Sequence, residues 1–227
     1  MQDLPSDAAV QGAACRALWS LSVNDHNEHS IVDHGGIDLI LRAMNSHIRV
    51  ASVQEPACGV LKILTGSRSH QNRPLIGDAG GMLAIVAAMV NCESDESVQV
   101  QAYGSLMDIS ISVDNEERIM DAGGGRAVVC AMKNHPHNVK LIAHACGTIK
   151  NLAATSDQHR CELSKDGGIV AIVSAVLNNL SETKVAENAC GALKNIACSR
   201  QQQVSIAASD GIVAIIKAMQ YHSNDDS

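Results

Sequence analysis

Three hydrophobic patterns follow one another between Ser156 and Cys198. The segment Ser156–Lys165 (SDQHRCELSK) is mostly polar with isolated apolar residues, and it predicts a short helix. Next, Ile169–Leu177 (IVAIVSAVL) is nearly all apolar, which predicts a helix buried on most of its sides. Finally, Glu182–Cys198 (ETKVAENACGALKNIAC) sets Val185, Ala189, Leu193 and Ile196 three or four residues apart, the spacing of one apolar face on a longer helix. Asp166-Gly167-Gly168 separates the first pair, where glycine supplies the left-handed conformation that stops a helix. Asn178-Asn179 ends the second.

The same succession recurs along the chain. Gly36, Gly81, Gly124, Gly168 and Gly211 mark one corner at steps of 45, 43, 44 and 43 residues. A second marker, Cys15, Cys58, Tyr103, Cys146 and Cys190, always follows Ala and steps by 43, 45, 43 and 44. A third, Met44, Met89, Met132, Val176 and Met219, closes the middle helix. Three markers with one period predict a tandem repeat of three-helix units at about 25–66, 69–112, 114–154 and 156–198. A lone third helix at 8–23 precedes them, and a partial unit at 200–221 and a polar tail at 222–227 follow, all in one repeat domain.

Composition supports this reading and removes some functions. The chain has no Phe, two Tyr and one Trp in 227 residues, so its core is aliphatic, and only four prolines interrupt it. That suits helices better than a β-sandwich. A net charge of −7 argues against a nucleic-acid partner. The opening MQDLPSDAAV is polar and acidic, unlike a secretory leader, and runs such as Gly80–Cys92 are too short to span a bilayer. The expected compartment is the cytoplasm, with the nucleus as a second, and the eight cysteines are expected to be reduced.

A short helix, a D/E-x-G-G turn, an aliphatic second helix and a third helix ending in [Leu/Ile]-x-Asn-[Leu/Ile]-Ala together resemble the armadillo repeat. The resemblance runs from Ala8 to about Tyr221 and implies an all-α, right-handed α-solenoid. HEAT repeats are the near alternative, but they normally use two helices and lack the Gly-Gly corner. In armadillo proteins the third helices line a concave groove, and an Asn near their end binds the backbone of an extended peptide; an amide offers that backbone both a donor and an acceptor. The matching positions here are Ser20, Ile63, Asp108, Asn151 and Asn195. Only Asn151 and Asn195 keep the family residue, Asp108 and Ser20 are weaker substitutes, and Ile63 takes no part.

Four residues earlier, proteins similar to importin-α carry a groove tryptophan. This chain has Arg16, Gly59, Gly104, Gly147 and Gly191 there, nearer the catenin-type pattern, and its single Trp19 lies one residue before the Asn position. Lys62, Lys150 and Lys194 share that position, about 100° around the helix from the Asn, so they are expected to flank the groove. They would favour an acidic partner or serve as solvated flank charges.

Sharper chemistry finds little support. The cysteines at 15, 58, 146 and 190 share a tight packing position and read as small hydrophobes. There is no C-x-x-C pair and no H-E-x-x-H, so no metal site or cofactor is expected. His47, His135 and His222 fall at the ends of second helices, where they suit the helix dipole. Gly123-Gly124-Gly125 lacks the Gly-Lys-Ser/Thr ending of a phosphate loop and sits at the repeat corner. Leu18, Trp19 and Leu21 have no earlier unit to cover them, which leaves capping, a longer array or end-to-end association open.

The sequence thus predicts a non-catalytic scaffold or adaptor that binds an extended peptide. Its groove residues would be Asn151, Asn195, Asp108, Ser20, Lys150 and Lys194. A regulatory or structural module of a larger enzyme or signalling protein is one alternative. A nuclear-transport adaptor, weakened by the missing tryptophans, is another.

Overall fold

A computed structural model describes residues 7–66 and 71–223. The opening MQDLPS, the expected start of the second unit at Ser69, and the tail beyond Ser223 lie outside the described residues. The described chain is all α-helix, in fifteen helices.

They recur in threes. Short first helices are α2 (Asp25–Asp33), α5 (Asn72–Asp78), α8 (Val113–Asp121), α11 (Asp157–Lys165) and α14 (Arg200–Ala208). Aliphatic second helices are α3 (Gly36–Ser46), α6 (Gly81–Asn91), α9 (Gly124–Asn134), α12 (Gly168–Asn178) and α15 (Gly211–His222). Longer third helices are α1 (Ala8–Leu21), α4 (Ala51–Thr65), α7 (Glu96–Ile109), α10 (Val139–Leu152) and α13 (Thr183–Ile196). The chain divides into two units, 1–122 with α1–α8 and 123–227 with α9–α15. In the first unit α4 packs between α1 and α7; in the second α10 packs on α13.

The corner between first and second helices uses its two glycines for different physical reasons. The first of the pair, as at Gly167 with φ 89°, takes the left-handed conformation. The second, Gly168, opens the next helix against the preceding one: a Cβ there would stand 2.7 Å from the Leu163 carbonyl oxygen. At the last corner the left-handed residue is Asp210, with φ 61°, the one non-glycine among the described residues at positive φ.

Polar side chains complete what the helix ends leave open. Asp7, Asn24, Asp95, Asn138, Ser156 and Ser199 accept from first-turn amides of α1, α2, α7, α10, α11 and α14. The C-terminal carbonyls of the third helices repeat at a step of 44: Leu21, Thr65, Ile109, Ala153 and Ala197. Each accepts a hydrogen bond from the following first helix, donated in turn by Asn27, Arg73, Asn115, Arg160 and Gln203. Within the first unit, Gln54 Nε2 donates to the carbonyls of Met44 and His47 at 2.8 and 2.9 Å. Gln99 Nε2 does the same to Met89 and Cys92 at 2.8 and 3.0 Å. These glutamines tie each third helix to the end of its second helix.

The aliphatic core matches the expected faces. Met44, Met89, Met132 and Val176 are buried, whereas Met219 on α15 is exposed. Cys15, Cys58 and Cys146 are wholly buried and Cys190 is half-buried, all as free thiols. Burial pushes the Cys15 thiol up to about 11 and Cys146 up to about 12. His47 and His135 cap the C-termini of α3 and α9, and His222 is the last residue of α15.

Candidate functional site

The third helices carry every residue expected at a binding face, and the two units present them differently. In the first unit Ser20 on α1 is exposed, Ile63 on α4 is half-buried and Asp108 on α7 is half-buried. Burial raises the Asp108 carboxyl above its ordinary value, and the cations Arg73 and Lys62 pull it back down. Arg73 also donates through Nε to the Thr65 carbonyl at 2.8 Å. Asp108 thus sits among compensating positive charge.

In the second unit α10 and α13 bring together Lys150, Asn151, Lys194 and Asn195. Lys194 is exposed; Lys150, Asn151 and Asn195 are half-buried. Asn195 Nδ2 donates to the backbone carbonyl of Lys150 at 2.7 Å. Seven residues earlier, two turns back on α13, buried Asn188 donates through Nδ2 to the Ala143 carbonyl at 3.0 Å and accepts from Lys150 Nζ at 3.4 Å. Two amides on one helix therefore bind two carbonyls on its neighbour. The sequence marked Asn195 as a ligand residue only; its Nδ2 also joins two repeats.

The lysines depart further from expectation. Lys150 does not simply stand in solvent beside the face. Its stem lies across Gly191 of the next third helix, where a Cβ would come within 2.6 Å of Lys150 Cδ. Lys62 lies the same way on Gly104, with Cε 2.6 Å from such a Cβ. Trp19, expected to lack cover from an earlier unit, packs its indole on the backbone at Gly59 of α4. At these three places the residue before the Asn position therefore covers the glycine of the following repeat. Sequence reasoning held both halves of this pairing and did not join them.

Leu21 is exposed as expected. A cavity of about 570 Å³ opens against α1, α2 and α3, lined by Leu18, Leu21, Ile31, His34 and Leu39 among others. Among the described residues no group of three or more His, Cys, Asp or Glu is placed to hold a metal ion. No single described helix is long and apolar enough to cross a membrane.

No protein-family profile matches the chain. An alignment 82 residues long, covering 33% of the chain, is 40% identical to Protein aardvark of Dictyostelium discoideum and spans 11% of that protein's length. Among solved structures, a designed armadillo repeat protein in complex with the peptide (KR)4 superposes with a TM-score of 0.76 at 18% identity, covering 99% of this chain and 94% of that one. A second designed armadillo repeat protein gives 0.73 at 17% identity, covering 92% and 91%. An engineered protein solved by the Northeast Structural Genomics Consortium gives 0.75 at 20% identity, covering 100% and 93%. With its three-helix units and these neighbours, the chain has the fold of an armadillo-like α-helical repeat solenoid.

Proposed function

We propose that this chain is a non-catalytic protein-binding scaffold, and that the third-helix face of each unit holds an extended peptide segment. The observation that supports this most is the side-by-side packing of α10 and α13. It gathers two amides and two lysines, Asn151, Asn195, Lys150 and Lys194, on neighbouring helices at matching repeat positions. Asn151 and Asn195 serve the peptide main chain. Asn195 uses one Nδ2 hydrogen on the Lys150 carbonyl, and its second Nδ2 hydrogen and its acceptor Oδ1 are the groups that would serve the peptide. Asp108 and Ser20 are the weaker counterparts in the first unit.

The charge of the third helices favours an acidic partner at the second unit. α10 and α13 carry Lys140, Lys150, Lys184 and Lys194 against a single acidic residue, Glu187. In a protein of net charge −7, that concentration steers an anionic chain toward this face. The designed neighbour, which holds (KR)4, has a ligand of the opposite charge.

The test is fluorescence anisotropy with labelled acidic 12-residue peptides on the full chain. Asn151→Ala with Asn195→Ala should weaken binding by tenfold or more. Unchanged affinity in the folded double variant would sink the groove reading.

A further inference from the structure

Three times among the described residues, the side chain immediately before the Asn position leaves its own helix and lies on a glycine of the next third helix. Trp19 of α1 covers Gly59 of α4, Lys62 of α4 covers Gly104 of α7, and Lys150 of α10 covers Gly191 of α13. The glycines are needed for this contact. A Cβ at Gly104 or Gly191 would fall 2.6 Å from the lysine stem, and one at Gly59 would enter the indole. The covering side chains are all half-buried, so each keeps one side toward solvent. At this point a peptide on the first unit meets the Trp19 indole or the Lys62 ammonium, and a peptide on the second unit meets the Lys150 ammonium, each in a common backbone setting.

The surroundings sharpen the difference. Beside Trp19 stand exposed Ser20 on α1 and half-buried Ile63 on α4, so its neighbours at the Asn positions carry no charge. The Lys62 ammonium acts on the Asp108 carboxylate, which balances it. Lys150 Nζ instead meets the neutral Asn188 amide at 3.4 Å, while its stem is held in place by Gly191. The Glu187 carboxylate on α13 also feels the Lys150 charge, but it is exposed and accepts its hydrogen bond from Lys184 at 2.9 Å. The Lys150 ammonium, positioned by an amide and a glycine, thus stays available to an anionic group.

We propose that the residue covering the glycine is the specificity-determining position of the peptide-binding face: Trp19 selects an uncharged aliphatic or aromatic side chain, and Lys150 selects an anionic one. This rests on reading the third-helix face as a peptide groove. A single side chain per repeat sets the preference, and the glycine beneath makes the position interchangeable. Lysine and tryptophan already occupy it in the same fold.

The experiment selects 12-residue peptides from a random display library on the full-length chain, on Trp19→Lys, on Lys150→Trp, and on Asn151→Ala with Asn195→Ala. Trp19→Phe is the milder variant that guards against misfolding, and circular dichroism checks each fold. Wild type should select two classes of peptide, one carrying a bulky apolar residue at a fixed position and one carrying Asp or Glu. Trp19→Lys should replace the apolar preference with an acidic one and bind wild-type apolar peptides at least tenfold more weakly. Lys150→Trp should make the reciprocal change, and Trp19→Phe should keep the apolar preference. Synthetic peptides with Glu or phosphoserine at the anionic position then distinguish carboxylate from phosphate.

The single tryptophan locates binding directly, because peptides carrying the apolar residue should shift Trp19 emission. Preferences left unchanged by both exchanges, with peptides still selected and still dependent on Asn151 and Asn195, overturn this proposal and leave the groove intact. Failure of wild type to select any peptide overturns both.

Discussion

The side chain of Asn195 donates its amide proton to the backbone carbonyl of Lys150, 45 residues earlier, at 2.7 Å. The carbonyl lies in the last turn of α10, where helical donors run out. The residue singled out for peptide binding therefore also fastens one repeat to the next. Asn195→Ala should cost about 1 kcal/mol of stability, measured by urea denaturation, in addition to any loss of peptide affinity. An affinity loss without a stability loss would show this hydrogen bond to be energetically silent.

The first-helix donors that close the third helices make a second expectation. Arg160 places Nε 2.8 Å from the Ala153 carbonyl and Nη2 2.7 Å from the Ala154 carbonyl while pairing with Asp157. Arg160→Met keeps most of the buried stem and removes the donors. The expected loss is about 1.5–3 kcal/mol, larger than for Gln203→Met, whose donor lies at an exposed position. Equal losses in urea melts would show that burial of the donor has no weight here.

Adjacent glycines should respond differently at one corner. Gly80→Ala puts a side chain at φ 85° with open space around it, so only backbone strain of about 1–2 kcal/mol is incurred. Gly81→Ala drives a Cβ to 2.7 Å from the Ile76 carbonyl oxygen, so α5 and α6 must separate. A cost of about 1–3 kcal/mol with altered packing follows. Conversely, Asp210→Gly relieves the one left-handed non-glycine among the described residues and should raise stability by about 0.5–1 kcal/mol. Thermal melts of the three variants test the set.

Gln99 is wholly buried and ties α7 to the end of α6 through two carbonyls. Gln99→Leu preserves volume but strips both acceptors of their donor. Destabilisation of about 1–3 kcal/mol is expected, with faster hydrogen exchange at the α6 C-terminus. Protection unchanged at Cys92 and its neighbours would count against the tie.

Buried thiols give an alkaline signature. The folded protein holds the Cys146 proton up to about 12 and the Cys15 proton up to about 11, against an ordinary thiol value of 9.0. Above pH 9 the unfolded chain releases these protons while the folded chain keeps them. Stability contributed by these thiols is therefore complete below pH 9 and falls as pH rises through the folded values. Cys146→Ala should flatten the stability slope between pH 9 and 10.5, and exposed Cys130 and Cys198 should react with a thiol reagent well before Cys58 or Cys146.

The repeat, the order of helix types and the aliphatic core were all legible in the sequence, because packing demands recur at fixed spacing and leave visible markers. The closing carbonyls at Leu21, Thr65, Ile109, Ala153 and Ala197 keep a step of 44, yet their donors were not legible. Asn, Arg and Gln all serve, and long side chains reach the same carbonyl from slightly different positions. Gln54 and Gln99 do share a register, with Gln11 as an earlier member, and that spacing was the available signal. The direction of the lysine stems was hidden for another reason. Spacing puts Lys62 and Lys150 beside the Asn position, but only the neighbouring helix reveals that glycine leaves room for them to lie down.

The contact of Trp19, Lys62 and Lys150 with glycines of the following helix bears on how such a protein can be recombined. Each pair is split across the boundary of the 43–45-residue period. Duplicating or transplanting one period therefore carries half of one contact and half of the next, and joins them to strangers. An intact recognition element can be moved only by cutting in the middle of a third helix, between the glycine and the residue three positions later. The natural module for exchange is offset from the natural module of folding.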